Sequence, residues 1–380
     1  MPIIGLSHTG LPLLIVKAQA KNLCFLLDTG SNINVLDKRV AEFFQLSGGT
    51  AQQQQFGIDG TLQTTDVVEM TFSLEEREYK ADFSVMDLSS AFGKVEEESG
   101  IQIHGLLGCS FMEQQKGVLD FEKFANVARR AGIPFAVDNT FPTPYLCRPF
   151  DYGANIVIHS LSKYADGHAC SLGGIVIDKG DFDYSASDKF PGLTTPDESY
   201  HGLVYTKAFG NLAFITKART HVMRDFGMMM SPMNAWLTNM NLETLPLRMQ
   251  KHSENGMKLA EYLASHPKVE WVEYPGLKNS PSAGLAKKYL KACGGVMTFG
   301  PKGGRAAAEK LLNSLELAAL VIHVADTRTG VLHPASTTHR QLSDEEQKAT
   351  GILPELIRVS VGLEHIDDII ADFEQALAKI

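Results

Sequence analysis

The stretch Asn155-Ile156-Val157-Ile158-His159-Ser160-Leu161-Ser162-Lys163 decides the fold of the larger part of this chain. It begins as an apolar run of strand length and ends in polar residues. A second apolar run, residues 133–138, ends in Asp138 one helical crossover earlier. The carboxyl ends of parallel strands lie at one edge of a sheet, where α/β folds bind their ligands. We therefore expect Asp138 and Lys163 to face one crevice.

The sequence around this stretch alternates between helices and strands. Apolar strand cores at 133–138, 155–160 and 173–178 predict a parallel sheet that is buried on both faces. From about residue 245 the pattern predicts a smaller α+β lobe. Its predicted elements are a helix around Met257, Leu259 and Leu263, strands at 269–274, 294–299 and 355–361, and a last helix with Ile366, Ile369, Ile370, Phe373 and Leu377 at helical spacing.

Residues 1–121 have a different, all-β pattern. The predicted strands are 11–16, 23–27, 66–73, 78–86 and 117–121, with a turn at Asp59-Gly60. We predict three domains with the boundaries 1–121, 122–244 and 245–380. The junction has no linker, so Leu119-Asp120-Phe121-Glu122-Lys123 can either close the first module or open a helix of the second.

Composition excludes several classes of protein. The chain has 380 residues, is 44% hydrophobic and carries a net charge of −9 with no Lys/Arg-rich run, which argues against nucleic-acid and membrane partners. Its five cysteines are widely spaced and include no C-x-x-C pair, so we expect reduced thiols and no metal site. The sequence shows no basic leader and no bilayer-length apolar run. We expect a cytoplasmic protein.

Several motifs together resemble the Cys/Met-metabolism enzymes that depend on pyridoxal 5'-phosphate (PLP), most closely the O-acetylhomoserine sulfhydrylase branch. The resemblance spans about residues 121–380. It rests on Val137-Asp138-Asn139-Thr140, Pro144-Tyr145-Leu146-Cys147-Arg148-Pro149, His159–Tyr164 with Gly167-His168, Leu242-Glu243-Thr244-Leu245, His333–His339 and Leu356–Gly362. This chain departs from the family pattern at Tyr164-Ala165-Asp166-Gly167, where an apolar-Gly pair is more usual. Ser162 stands where threonine is common.

The resemblance implies a role for each site residue. Lys163 forms the Schiff base with PLP, and Asp138, as a buried carboxylate, keeps the pyridine nitrogen protonated. Ser160 and Ser162 hydrogen-bond the phosphate. Arg358 clamps the substrate α-carboxylate, with Ser336 nearby. Strand alternation places Arg358 and Ser360 opposite Ile357, Val359 and Val361, so the guanidinium points out of the core. We interpret the four histidines His159, His168, His333 and His339 as structural.

The same resemblance implies that part of the cofactor site is missing. Relatives carry an N-terminal arm and roughly the first half of the cofactor domain before the segment that begins here at Phe121. That half supplies a glycine-containing helix start for the phosphate and a tyrosine that stacks on the ring. Neither motif occurs in residues 1–120. We therefore expect a truncated large domain, weak PLP binding and a sheet with an unpaired edge.

Residues 10–121 resemble the retropepsin-like aspartic proteases. The evidence is the apolar strand that ends in Asp28-Thr29-Gly30, the segment Ile103–Gly108 that braces such a turn, and a flap-like hairpin at Phe56–Gly60. The resemblance implies that Asp28 is the catalytic acid/base, that Thr29 and Gly30 are its scaffold, and that Gly57–Gly60 cover a peptide. The chain has no second D-T/S-G, so Asp28 would need its two-fold partner from another subunit.

Three hypotheses follow from these observations. The first is a PLP-dependent sulfhydrylase-type chain, truncated and fused to the protease-like module. It would eliminate acetate from O-acetylhomoserine, add a sulfur nucleophile and assemble as a homo-oligomer. The second is a homodimeric aspartic endopeptidase with a passive C-terminal appendage. The third is a non-functional fusion joined at Leu119–Lys123, and sequencing the junction from independent DNA tests it.

Overall fold

The computed structural model describes most of the chain in two compact units. The described residues are 3–5, 12–27, 34–46, 52–56, 62–74, 77–89, 92, 97, 102–107, 120–343, 346–347 and 351–380. The first unit is built on Met1–Gly117, and the second comprises Val118–Lys348 and Ile352–Ile380. None of the described helices has both the length and the apolar character that crossing a membrane requires.

The first unit is a sheet that closes on itself. Its described strands are β1 (Ile3–Gly5), β2 (Pro12–Ala18), β3 (Lys21–Leu27), β4 (Val35–Asp37), β5 (Gln52–Phe56), β6 (Leu62–Leu74), β7 (Arg77–Met86) and β8 (Gly105–Leu107), and the helix α1 (Lys38–Phe43) follows β4. The strand order is β1-β2-β3-β8-β4-β7-β6-β5, and a further pairing of β2 with β6 joins six of the strands into a barrel. The all-β prediction for this region agrees with the described strands.

An aromatic cluster fills this barrel. Phe25, Phe72 and Phe83 are almost fully buried, and their ring centroids lie 5.7 to 6.1 Å apart. Burying each such side chain contributes about 1.5–3 kcal/mol. Gly105 of β8 packs against this cluster, because a Cβ there would come within 2.7 Å of the Val35 carbonyl oxygen and 2.9 Å of the Phe25 ring. Only glycine allows β8 this close an approach.

The junction segment opens a helix of the second module, α2 (Phe121–Ala131). Asp120 caps this helix by accepting a hydrogen bond from the Lys123 N–H at 3.2 Å, and Gly132 ends it at φ 60°. The predicted strand 117–121 is therefore wrong at Phe121, and its residues 117–119 lie outside the described residues. The predicted helix-like segment Ser110–Gln115 also lies outside them.

A three-stranded sheet and short helices follow α2. The strands are β9 (Ala136–Asp138), β10 (Ile156–Ser160) and β11 (Gly174–Asp178). The helices of this region are α3 (Thr143–Leu146), α4 (Pro191–Thr194), α5 (Tyr205–Phe209), α6 (Ala213–Lys217) and α7 (Arg224–Phe226), with 3-10 turns at Pro149–Tyr152, Glu198–Tyr200 and Gly210–Leu212 and a π-helical turn at Ala218–Met223.

This sheet differs from the prediction in two respects. Strand β10 pairs parallel with β9, but antiparallel with β11. A parallel neighbour needs a crossover that usually contains a helix, whereas residues 161–173 form only turns and loop. The sheet is also not buried on both faces, because Ile158, Ile175 and Val176 are 38 to 43% exposed.

The rest of the second unit is an α+β lobe around a second sheet. Its helices are α8 (Pro232–Glu243), α9 (Leu245–Ser265), α10 (Ala283–Tyr289), α11 (Gly304–Leu312) and α12 (Ile366–Ala378), with a 3-10 turn at Pro334–Ser336. Its strands are β12 (Val269–Glu273), β13 (Val296–Pro301), β14 (Ala319–Leu320), β15 (Gly330–Leu332) and β16 (Ile357–Ser360), in the order β12-β13-β16-β15-β14. One core joins the buried faces of α9, α11 and α12 to this sheet.

Candidate active site

The candidate site includes Lys163. It follows β10 directly, in a turn that runs from Leu161 to Asp166. Its side chain is half-buried, and burial, followed by the positive charge of Arg358, lowers the pKa of the Lys163 ammonium below its ordinary value. A lowered pKa increases the neutral, nucleophilic fraction of the amine near neutral pH. The turn therefore presents an amine suited to attack on a carbonyl group.

A chain of short hydrogen bonds joins Asp138 to the serines before Lys163. Thr140 donates to Asp138 Oδ1 through its N–H at 2.9 Å and its hydroxyl at 2.5 Å. The Ser160 N–H in turn donates to Thr140 Oγ1 at 2.8 Å, and the hydroxyls of Ser160 and Ser162 are 2.7 Å apart. The structure thus brings Asp138, Ser160 and Ser162 together through Thr140. The sequence analysis did not assign a role to Thr140, although this residue is part of the motif Val137–Thr140.

Asp138 itself is exposed, which corrects the expectation of a buried carboxylate. It lies on the same face of β9 as the exposed Ala136, and it is paired in register with Ile158, which is 38% exposed. This face of the sheet is open, so the carboxylate keeps contact with solvent. The two hydrogen bonds from Thr140 still fix the position of one carboxylate oxygen at the end of β9.

Arg358 lies on β16, where residues alternate as predicted: Ile357 and Val359 are fully buried, whereas Arg358 is half-buried. Its guanidinium donates to the Ile322 carbonyl oxygen at 2.8 Å, and burial lowers its pKa. No carboxylate of the described residues forms an ion pair with it. A half-buried guanidinium without an acidic partner is a ready receptor for the carboxylate of a small molecule.

Ser336 stands in the 3-10 turn after β15 and is exposed, and its hydroxyl is 2.8 Å from His333 Nδ1. His333 Nε2 lies 2.7 Å from the Pro354 carbonyl oxygen, which can only accept, so Nε2 carries the proton. Nδ1 then accepts a hydrogen bond from the Ser336 hydroxyl. The contacts of Ser336 do not include Lys163 or Arg358, but β15 is the neighbour of the Arg358 strand.

His323 is a site residue that the sequence analysis missed. Burial lowers its pKa, with a further contribution from the charge of Lys163, and its buried Nε2 has no hydrogen-bond partner among the described residues. No motif in the sequence singled it out, because only the folded chain brings the segment before β15 near Lys163. The ring is therefore neutral near pH 7 and adds no positive charge to Lys163 and Arg358.

Of the other three histidines that were interpreted as structural, His168 and His339 have close hydrogen-bonding contacts. His168 Nδ1 is 2.8 Å from the Asp166 carbonyl oxygen, and burial lowers the pKa of His159. His339 Nδ1 is 2.9 Å from the Thr338 hydroxyl. Within the part of the chain that the structure describes, no group of three His, Cys, Asp or Glu side chains could hold a metal ion.

The protease-like site residues Asp28, Thr29 and Gly30 lie outside the described residues, as does the predicted flap turn Gly57–Gly60. The strands that lead into these segments are described. β3, which ends at Leu27, pairs parallel with β8, and β5 and β6 form an antiparallel pair that flanks residues 57–61. The described part of the segment predicted to brace the turn, β8, thus lies beside β3, the strand that precedes Asp28 in the sequence.

Comparison with known proteins decides the family of this chain. The sequence profile described as Cys/Met metabolism PLP-dependent enzyme matches residues 81–378. The chain belongs to this family. An aspartyl protease profile matches residues 16–111. The two matches overlap over residues 81–111, where the described strands β7 and β8 pair within the sheet of the first unit.

Similar curated proteins carry names from sulfur amino-acid metabolism. Homocysteine synthase of Schizosaccharomyces pombe is 51% identical over 263 residues, which are 68% of this chain and 61% of the relative. O-acetyl-L-homoserine sulfhydrylase of Leptospira meyeri is 47% identical over 69% of this chain and 61% of the relative. Homocysteine/cysteine synthase of Saccharomyces cerevisiae is 38% identical over 91% and 84%. The chain thus spans about 61% of the length of the first two relatives.

A solved structure supports the α/β PLP-domain fold. The O-acetylhomoserine (thiol)-lyase of Campylobacter jejuni superposes with a TM-score of 0.66 at 33% identity, over 76% of this chain and 74% of that chain. Its crystal structure contains a pyridoxyl-lysine. Within the family, PLP is the cofactor, in agreement with the sequence analysis. The described donor set fits three parts of that molecule: an amine at Lys163, a carboxylate at Asp138 and paired hydroxyls at Ser160 and Ser162.

Proposed function

We propose that this chain acts on a sulfur amino-acid precursor as an O-acetylhomoserine sulfhydrylase-type enzyme: it eliminates acetate and adds a sulfur nucleophile. Relatives named homocysteine synthase and O-acetyl-L-homoserine sulfhydrylase support the reaction class. The observation that carries the proposal is that Lys163 and Arg358 are both half-buried cations, and Arg358 is near enough for its charge to lower the pKa of Lys163. One serves as a nucleophile and the other receives a carboxylate, as an amino-acid substrate requires.

We propose a role for each residue that its contacts support. When bound, PLP supplies an electron sink for a substrate carbanion. Arg358 holds the substrate α-carboxylate, and Ser336, oriented by His333, offers a second contact to it. Lys163, whose pKa burial and then the charge of Arg358 lower, would hold the cofactor and move the proton at the substrate Cα. Asp138 would hold the ring nitrogen of bound PLP, and Ser160 and Ser162 would hold its phosphate.

We further propose that the cofactor domain, 122–244, is incomplete and that 245–380 is the C-terminal domain of the enzyme, with 1–121 as a fused protease-like module. The matched segment covers 61% of each of the first two relatives, which supports the truncation. The exposed Asp138 and the open face of the three-stranded sheet are consistent with it. The proposal also includes a cytoplasmic homo-oligomer with a small amino-acid substrate.

The direct test is spectroscopic. Titrating the purified chain with PLP should produce a new absorbance band that borohydride fixes covalently on Lys163. Lys163→Gln should abolish the band, and the control Lys287→Gln, an exposed lysine on α10, should retain it. A wild-type protein that stays colourless at saturating PLP rejects the proposal.

A second experiment tests the carboxylate receptor. Arg358→Gln should raise KM for O-acetylhomoserine about 10- to 100-fold, because a hydrogen bond to a charged group contributes about 1.5–3 kcal/mol. The control Arg148→Gln removes an exposed arginine that pairs with Asp151 and should leave KM unchanged. Equal KM values in both variants would contradict the role of Arg358.

A second candidate function is a homodimeric aspartic endopeptidase built on residues 1–121. The aspartyl protease match to residues 16–111 and the parallel pairing of β3 with β8 favour it. Asp28 would pair with its copy across a two-fold axis, and Thr29 and Gly30 would hold the turn. Peptide cleavage by the wild-type chain that Asp28→Asn abolishes is the expected result, and cleavage that survives this substitution refutes the candidate.

A further inference from the structure

The turn after Lys163 contains the segment Tyr164-Ala165-Asp166-Gly167, which departs from the family pattern. Asp166 is fully buried, and both of its carboxylate oxygens accept hydrogen bonds. Oδ1 accepts from the Ser171 hydroxyl at 2.7 Å and from Asn241 Nδ2 at 3.1 Å. The donors to Oδ2 are the Cys170 N–H at 3.0 Å and the His168 N–H at 3.2 Å. The carboxylate thus ties the end of the turn to helix α8.

Arg248 of α9 holds the same turn through its carbonyl groups. The guanidinium is 5% exposed and donates to the Tyr164 carbonyl oxygen at 2.6 Å and to the Ala165 carbonyl oxygen at 3.3 Å. It also donates to the Asn241 carbonyl oxygen at 2.7 Å. Burying a guanidinium costs free energy unless its N–H groups are hydrogen-bonded. These bonds therefore favour a single conformation of the turn.

Gly167 completes the arrangement. Its φ of +71° favours glycine, and a Cβ at this position would collide with the Arg248 guanidinium. Its N–H donates to the Lys163 carbonyl oxygen at 2.7 Å, and its own carbonyl oxygen accepts from the Thr327 N–H at 2.8 Å. The backbone of Lys163 is therefore fixed by the same few contacts that Asp166 and Arg248 maintain.

We propose that Asp166 and Arg248 are positioning residues for Lys163: together they hold the turn 161–171 in the one conformation that directs the Lys163 amine toward the site of Arg358. Asp166 binds N–H and side-chain donors of the turn, and Arg248 binds its carbonyl groups. The significance of this arrangement for catalysis rests on the proposed function, but the conformation of Lys163 can be measured without it.

The test is the reactivity of the Lys163 amine itself. In protein freed of PLP with hydroxylamine, formaldehyde with cyanoborohydride methylates neutral amines, and mass spectrometry of peptides reports the modification of each lysine as a function of pH. In the wild type Lys163 should react at lower pH than the exposed Lys287. In Asp166→Asn the loosened turn should hydrate the amine and reduce its methylation rate near neutral pH at least about threefold, which corresponds to a pKa rise of about half a unit.

Controls separate positioning from general damage to the fold. Asp181→Asn removes another hydrogen-bonded aspartate, which accepts from Asn155 at 2.8 Å, and should leave Lys163 methylation unchanged. Arg248→Met should reproduce the effect of Asp166→Asn, and Arg248→Lys should restore part of the wild-type profile. A folded Asp166→Asn protein, verified by circular dichroism, whose Lys163 profile equals that of the wild type overturns the proposal.

If Asp166→Asn does not fold, Asn241→Ala is the substitute variant. This substitution removes one hydrogen-bond donor to Asp166 and keeps the bond from Arg248 to the Asn241 carbonyl oxygen. An unchanged Lys163 profile in Asn241→Ala would equally overturn the proposal. Failure of the proposed function gives a different result: the wild type would not bind PLP, while Lys163 methylation would still depend on Asp166.

Discussion

The two sheets of the second unit differ in how completely they are covered. In the five-stranded sheet, Phe299, Ile357 and Val359 are fully buried against helices. In the three-stranded sheet, the apolar residues Ile158, Ile175 and Val176 remain 38 to 43% exposed. Both sheets carry site residues, Arg358 on the first and Asp138 on the second. The difference shows that Arg358 has a buried core behind its sheet, whereas the sheet that carries Asp138 keeps exposed apolar residues.

The largest expected effect lies in the covered sheet. Phe373 of α12 packs against Phe299 with ring centroids 6.0 Å apart, and both side chains are fully buried. Phe373→Ala should lower the free energy of unfolding by about 3–5 kcal/mol, because it removes a large buried side chain and leaves a cavity. Chemical denaturation measures the change, and a loss below about 1 kcal/mol would show that this core is not close-packed.

Acid should lower the free energy of unfolding through His252, which packs between the Lys163 turn and the covered sheet. Burial lowers the pKa of His252 to about 4, and its ring packs 4.9 Å from that of Tyr164. The Val361 carbonyl oxygen and the charges of Arg248 and Asp326 also act on this ring. Because the folded pKa is below the unfolded value of 6.5, the unfolded chain binds more protons between these values, and stability falls as the pH drops from 6.5 to about 4.

This loss should be at most about 3 kcal/mol, since each unit of pKa difference corresponds to about 1.4 kcal/mol. Denaturant unfolding of the wild type and of His252→Gln at pH 7 and at pH 4 measures it. The variant should show a smaller difference between the two pH values. Identical pH dependence in the two proteins would mean that His252 is not protonated on unfolding.

A smaller acid effect is expected at Asp166. Burial raises its pKa, but the hydrogen bonds from Ser171, Cys170 and His168 outweigh burial, so the net pKa is below the ordinary value. A lowered carboxylate pKa contributes stability above the unfolded pKa, and this stability is lost as the pH falls through the folded value. The Tm difference between the wild type and Asp166→Asn should therefore be largest near neutral pH and shrink in strong acid. A difference independent of pH would contradict this origin.

The smallest effect is expected on the open sheet. Ile175→Thr should change the free energy of unfolding by less than about 0.5 kcal/mol, because its side chain is already 43% exposed. The same substitution should reduce self-association measured by light scattering, since it breaks an exposed apolar surface. A large loss of stability would show instead that this face is covered in solution and would remove the contrast between the two sheets.

Much of the fold could be predicted because local patterns agree with tertiary burial. The spacing of Ile366, Ile369, Phe373 and Leu377 predicted a helix, and all four side chains are buried on one side of α12. The alternation at Arg358 was predicted for the same reason. The antiparallel direction of β11 was not predicted, because an apolar run has the same composition in either direction and only the lack of a crossover helix decides between them.

The sequence by itself determined the family and the candidate site residues, because the motifs around Asp138, Lys163 and Arg358 are local and specific in their residue types. Only the tertiary structure decided what surrounds them. Thr140 links Asp138 to Ser160, His323 lies near Lys163, and Arg248 reaches the Lys163 turn from α9. Apart from the Thr140–Asp138 bond, these contacts join residues at least 20 positions apart in the chain, and burial and hydrogen-bond partners across such distances leave no periodic signal in the sequence.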